Sequence, residues 1–252
     1  MDIKVRDLFI EKWEKYFGNA ELPITFAYSD DIDDAEYRDR NSDRSCLISE
    51  LMKVRKGESF AYNINNIACG GAKRYLGYTD GMRPGFEYFL SYGNEDMEGE
   101  RYKCTPELAK SFQDRIVTLP ADNRYSIFKR WDKLTETDEP EIVIFFAKPD
   151  VLSGLFTLAN FDQNDENGVI APFGAGCGSI IYHPYRESTK DDQKCVLGMF
   201  DVSARPGVQE NVLTFSAPIK RFEKMVGHMD ESFLITNSWT KVKKRINSRK
   251  SV

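Results

Sequence analysis

Near the start of the chain, Val5, Leu8, Phe9, Trp13, Tyr16 and Phe17 recur at spacings of three and four. That period predicts a helix with one core-facing stripe, closed by Gly18. PITFAYS, residues 23–29, reads as a strand, and DDIDDAEYRDRNSD after it as a solvated acidic loop. Ser42 or Asp43 is placed to cap a helix running to about Arg55, with Leu47, Leu51 and Val54 on one stripe and Gly57 at its end. The strand SFAYNI then runs into IACGGAKRYLG, a turn holding Cys69, Gly70 and Gly71. GMRPGFEYFLSYG predicts a helix entered through Pro84, TPELAKSFQDRIVTLP a helix capped by Thr105 and stopped by Pro120, and RYSIFKRW a strand.

Residues 133–141, KLTETDEPE, are polar and without periodicity, so the pattern breaks there. It resumes with the strand EIVIFFA, the helix KPDVLSGLFTLANF and the strand GVIAPF. A second glycine-rich turn, GAGCGSIIYHPY, holds Gly176, Cys177 and Gly178. CVLGMFD and VLTFSAP supply two more strands and IKRFEKMVGHM a helix. The expected fold is therefore α/β or α+β, with mixed sheets and helices in a single compact unit over residues 1–252. The two stretches 19–138 and 139–230 follow similar plans and suggest an internal duplication, with Cys69 and Cys177 at matching places. Residues 237–252 are basic and poor in apolar positions, which reads as a tail.

Composition narrows the function classes. With 41% apolar and 30% charged residues the chain has the profile of a folded globular protein. A net charge of −5 gives no general attraction for phosphate backbones, so no nucleic-acid partner is expected. Charges interrupt every apolar run of MDIKVRDLFIEKWEKYF, so neither a signal peptide nor a membrane span is expected there, and a cytoplasmic location follows. Five cysteines are an odd number, none in a CxxC, and are expected as reduced thiols.

In each glycine-rich turn a strand ends, glycines relax the backbone and a helix begins near the cysteine, where free N–H groups favour a thiolate or an anion. Three chemistries fit. Cys69 and Cys177, with Cys46 or Cys195, could ligate a metal or an iron–sulfur cluster. One cysteine could be a nucleophile, with His183 and His228 the only histidine bases in the chain. Or the turns bind a small anionic molecule through Gly70, Gly71, Gly176 and Gly178, helped by Asp201 and Arg205 of DVSARP. Inert core cysteines, with Asp201 and Arg205 paired as a loop salt bridge, are the non-functional alternative.

Taken in order, CLISELMKVRKGESF, ACGGAKRYLG, EIVIFFAKPDVLSGLFTLANF, GAGCGSIIYHPYR and GMFDVSARP resemble the domain of unknown function 169 family of archaea and bacteria. The resemblance brings no established reaction. It does imply cysteines at the positions of Cys46, Cys69 and Cys177, which makes these the leading site candidates, either as metal ligands or as reactive thiols.

Overall fold

A computed structural model describes residues 1–32, 35–37, 46–122 and 124–248; the caps expected at Ser42 or Asp43 lie outside them. The strands are β1 (Ile24–Ser29), β2 (Glu36–Tyr37), β3 (Phe60–Tyr62), β4 (Gly93–Asn94), β5 (Met97–Glu98), β6 (Tyr125–Arg130), β7 (Ile142–Ala147), β8 (Val169–Ile170), β9 (Cys195–Gly198) and β10 (Leu213–Pro218). The helices are α1 (Ile3–Phe17), α2 (Leu47–Arg55), α3 (Gly70–Tyr75), α4 (Phe86–Leu90), α5 (Pro106–Gln113), α6 (Pro149–Ala159), α7 (His183–Ser188), α8 (Ile219–Gly227) and α9 (Asn237–Ser248).

Eight strands form one mixed sheet in the order β2-β3-β6-β1-β7-β10-β9-β8, and β4 and β5 pair separately as a hairpin. β1 lies antiparallel to both β6 and β7, so the break at residues 133–141 is crossed by a continuous sheet. Among the described residues only the outermost pairs, β2 with β3 and β8 with β9, are parallel. β7 is buried along its whole length because both of its faces are covered: Ile142, Ile144 and Phe146 face one core, Val143, Phe145 and Ala147 the other. This is why EIVIFFA reads as an unbroken apolar run rather than an alternating one.

Helices α2, α3 and α7 cover the first face, and α1, α6, α8 and α9 the second, giving a three-layer α/β fold. Asp2 caps α1 by accepting from the Lys4 N–H at 2.8 Å. Phe9, Trp13, Tyr16 and Phe17 of α1 are buried as the period predicts, but Val5 and Leu8 stay 38% and 47% exposed. The basic segment expected as a tail is instead α9 through Ser248. One large residue anchors it: Trp239 is buried, donates from Nε1 to the Tyr16 carbonyl at 2.8 Å and sets its ring edge-on to Phe17, while Arg245 pairs with Asp150.

Candidate functional site

Each of the three candidate cysteines stands at the start of a helix. Cys46 caps α2 and Cys69 caps α3, both with extended backbone, and Cys177 precedes a π-helical turn, Gly178–Tyr182, that runs into α7. Pro184 accounts for that turn: it has no N–H to give to the preceding carbonyl, so a regular α ladder cannot run through it. The three cysteines line one cavity of about 780 Å³, together with Gly71, Gly176, Tyr75 and Asp201. Two segments far apart in the chain thus bring their glycine–cysteine turns to one place.

The three sulfurs do not share one electrostatic environment. The Cys46 thiol first of all, and then the N–H groups of Ala72, Gly71 and Leu47, pull the Cys69 pKa down to about 6 against the opposing effect of burial. Cys46, which keeps its proton to donate to Cys69, is pushed far above the ordinary thiol range by that contact and by burial. Burial, with the charge of Cys69 and Asp201 nearby, drives Cys177 well above it too. Of the three thiols, only Cys69 is therefore drawn below the ordinary range, and it lines the cavity.

The opposite wall comes from the long connection between β3 and β6. Buried Arg74 of α3 fastens it by donating to the Thr79 carbonyl (3.1 Å), to Thr118 Oγ1 (2.9 Å) and to the Ile116 carbonyl. The Val117 N–H adds a bond to the Tyr182 hydroxyl at 3.1 Å. This wall is aromatic: Phe86, Phe89, Tyr102 and Phe112 line the cavity, with Phe173 and Phe200 facing them from the second half of the chain. The Lys103 ammonium lies over the rings of Phe112 and Phe173, at 4.7 and 4.1 Å from their centroids. No residue of α4 is buried, although Phe86, Phe89 and Leu90 belong to it. Sequence reasoning missed this wall, and the aromatic density of GFEYFLSY was its one signal.

Of the expected ligand-binding residues, Gly71, Gly176 and Asp201 line the cavity, whereas Gly70, Gly178 and Arg205 do not. Gly178 is a packing residue: a Cβ there would fall 3.0 Å from the Tyr75 ring. Asp201 acts as a brace, its Oδ2 accepting from the Gly176 N–H at 2.9 Å and its Oδ1 from the Ser203 N–H and hydroxyl. Met199, buried and at a φ of 68°, turns the chain out of β9 so that Asp201 reaches that N–H. Arg205 forms no salt bridge with Asp201; it donates to the carbonyls of Val212, Gln209 and Glu210 and tightens its own loop.

Cys177 lies between β8 and β9 as Cys46 lies between β2 and β3, whereas Cys69 follows β3. Cys195 faces the opposite core, its thiol 3.7 Å from the Met225 sulfur, and Cys104 is exposed. Neither histidine lines the cavity. His183 is held to a pKa of about 4 by burial, and His228 pairs with Glu231 at 2.5 Å. Among the described residues, no group of three or more His, Cys, Asp or Glu side chains is arranged to hold a metal ion. Among them, too, no helix is long and apolar enough to cross a membrane.

A family model described as "Uncharacterised ArCR, COG2043" (DUF169) matches residues 14–228, a span that takes in all three cavity cysteines and the aromatic wall. Comparison with curated proteins and with solved structures finds no match. The chain belongs to the domain of unknown function 169 family.

Proposed function

We propose that the protein binds a small, largely apolar molecule in this cavity and that the Cys69 thiolate adds covalently to it. The observation that carries the proposal is that Cys69, a thiol drawn down to about 6 by the Cys46 thiol and nearby backbone N–H groups, lines a cavity of about 780 Å³. A sulfur already ionised near neutral pH needs no histidine base, which suits a cavity without one. In the addition the sulfur lone pair forms the new bond to an electrophilic carbon as a π bond at that carbon breaks, and the Cys46 proton passes to the atom that takes up the π electrons. The aromatic wall supports a planar or apolar body. A reducing compartment such as the cytosol would keep the thiols free, as the chemistry requires.

Alkylation of the intact protein by iodoacetamide across pH 5–9, with each cysteine followed by mass spectrometry, tests this. Cys69 is expected to react with a midpoint at about pH 6, well ahead of the other cysteines. Uniformly slow labelling would overturn the proposal. A stoichiometric metal in anaerobically prepared protein, lost on Cys69→Ala, would replace it with a metal centre.

A further inference from the structure

Addition at Cys69 leaves the cations of the cavity unused. Arg74, Arg83, Lys103 and Lys110 all line it. Arg74 is spent on the Thr79 and Ile116 carbonyls and the Thr118 hydroxyl, and Lys110 pairs with Asp114 at 3.3 Å. Arg83 is exposed and reaches the Met97 sulfur at 3.8 Å. Lys103 is different. It is half-buried, and its ammonium sits over Phe112 and Phe173, whose rings meet edge to face at 5.5 Å. The ring faces attract the ammonium but carry no net charge to neutralise it. Among the described residues, no carboxylate forms an ion pair with it.

The segment that carries this lysine is fixed. The N–H groups of Glu100, Arg101 and Lys103 donate to the carbonyls of Phe89, Ser91 and Leu90 at 2.7, 2.9 and 2.9 Å, which ties the segment to the end of α4. Arg101 holds a φ of 56° there, a conformation that residues with a side chain rarely adopt. Phe112 belongs to α5 and Phe173 follows β8, so the ammonium stands where the two halves of the chain meet at the cavity. Of the acids in the lining, Asp114 is paired, Asp201 is taken up by Gly176 and Ser203, Asp80 is exposed and Glu87 is half-buried on α4.

Resting on the reading of the cavity as the seat of a small, largely apolar molecule, we infer that this molecule is an acid, with one anionic group that Lys103 binds and an apolar body that the aromatic wall covers. An ammonium is a point charge with three N–H donors, and a single such charge matches a monoanion. The rings beside it keep water away, which strengthens the pairing. Lys103 is then the residue that selects the ligand, on the wall opposite the cysteines.

Anilinonaphthalene sulfonate and N-phenylnaphthylamine share one ring body, differ by the sulfonate, and both brighten in an apolar site. Fluorescence titration of both against the full-length protein and its variants tests the inference. Lys103→Gln is expected to weaken the sulfonate about tenfold and to leave the neutral probe within about twofold, while Lys103→Arg keeps most of the sulfonate affinity. Equal loss of both probes in Lys103→Gln, or loss of neither, would overturn the role of Lys103 while leaving the cavity as a binding site. Uptake of the neutral probe alone by the wild type would show that Asp80 and Glu87 outweigh Lys103, and would overturn it as well. If neither probe binds the wild type, the reading of the cavity fails and the acidic ligand with it.

Discussion

From β1 outward the sheet runs β6, β3, β2, and from β7 outward β10, β9, β8, with the outermost pair parallel on both sides. This order supports the proposal that the halves arose by duplication about an axis between β1 and β7. The halves differ in one connection: residues 63–124 join the third strand to the fourth in the first half, but only residues 199–212 do so in the second. The long connection carries Cys69, Arg74 and the aromatic wall. The shared plan places Cys46 and Cys177 at equivalent points, each at the helix between a parallel pair of strands. The comparison teaches that the common framework supplies Cys46 and Cys177, both raised above the ordinary thiol range, while the connection found in one half supplies Cys69, which is drawn below it.

The largest effect separates framework from added wall. Phe128 on β6 and Phe215 on β10 are fully buried on equivalent strands, Phe128 packed on Phe26 at 5.4 Å and Phe215 on Phe145 at 6.3 Å between ring centroids. Phe128→Ala and Phe215→Ala are each expected to cost about 3–5 kcal/mol in urea unfolding, a loss set by lost burial plus the cavity left behind. Phe86→Ala and Phe89→Ala remove one stacked pair, at 5.2 Å, from a helix with no buried residue, so each is expected to cost under about 1.5 kcal/mol. Equal costs at all four positions would make the wall part of the core and dissolve the distinction.

A smaller effect tests the two framework cysteines against each other. The Cys46 thiol is the strongest influence on the Cys69 sulfur, whereas Cys177 gives it no hydrogen bond. Cys46→Ala is therefore expected to raise the midpoint of Cys69 alkylation by about one pH unit and slow the reaction about fivefold at pH 6. Cys177→Ala should leave the rate within about twofold. A reversed result would show that the cysteine of the second half, not that of the first, sets the thiolate.

How much of this the residues announce depends on how local each cause is. The helices α1, α6 and α8 are legible because their buried positions repeat within each helix, and β7 because burial on both faces leaves an apolar run. The start of α9 is illegible because a single side chain, Trp239, fixes it. Cys69 and Cys177 stand out through their glycines, yet the partner that matters most, Cys46, reaches Cys69 only because β3 folds between them. Arg205 misleads for the opposite reason. Its place beside Asp201 in the sequence suggests a pair, but its guanidinium finds three loop carbonyls instead.

The second half also carries a titratable group that the first lacks. His183 at the start of α7 is half-buried, and this desolvation lowers its pKa from 6.5 to about 4. Between those values the unfolded chain takes up a proton that the folded chain refuses, so the contribution of His183 to stability is full above 6.5 and falls as the pH drops toward 4. The carboxylates of Asp162 and Asp165, drawn down to about 2 by Arg221 and Lys194 respectively, act in a lower window, between 3.8 and about 2. Glu141, whose carboxyl burial holds above the ordinary range, works in the other direction. The comparison that isolates the histidine is therefore wild type against His183→Gln, by urea midpoint at pH 7 and pH 4.5. The wild type should lose more stability on acidification than the variant, and equal losses would show that His183 takes its proton as readily folded as unfolded.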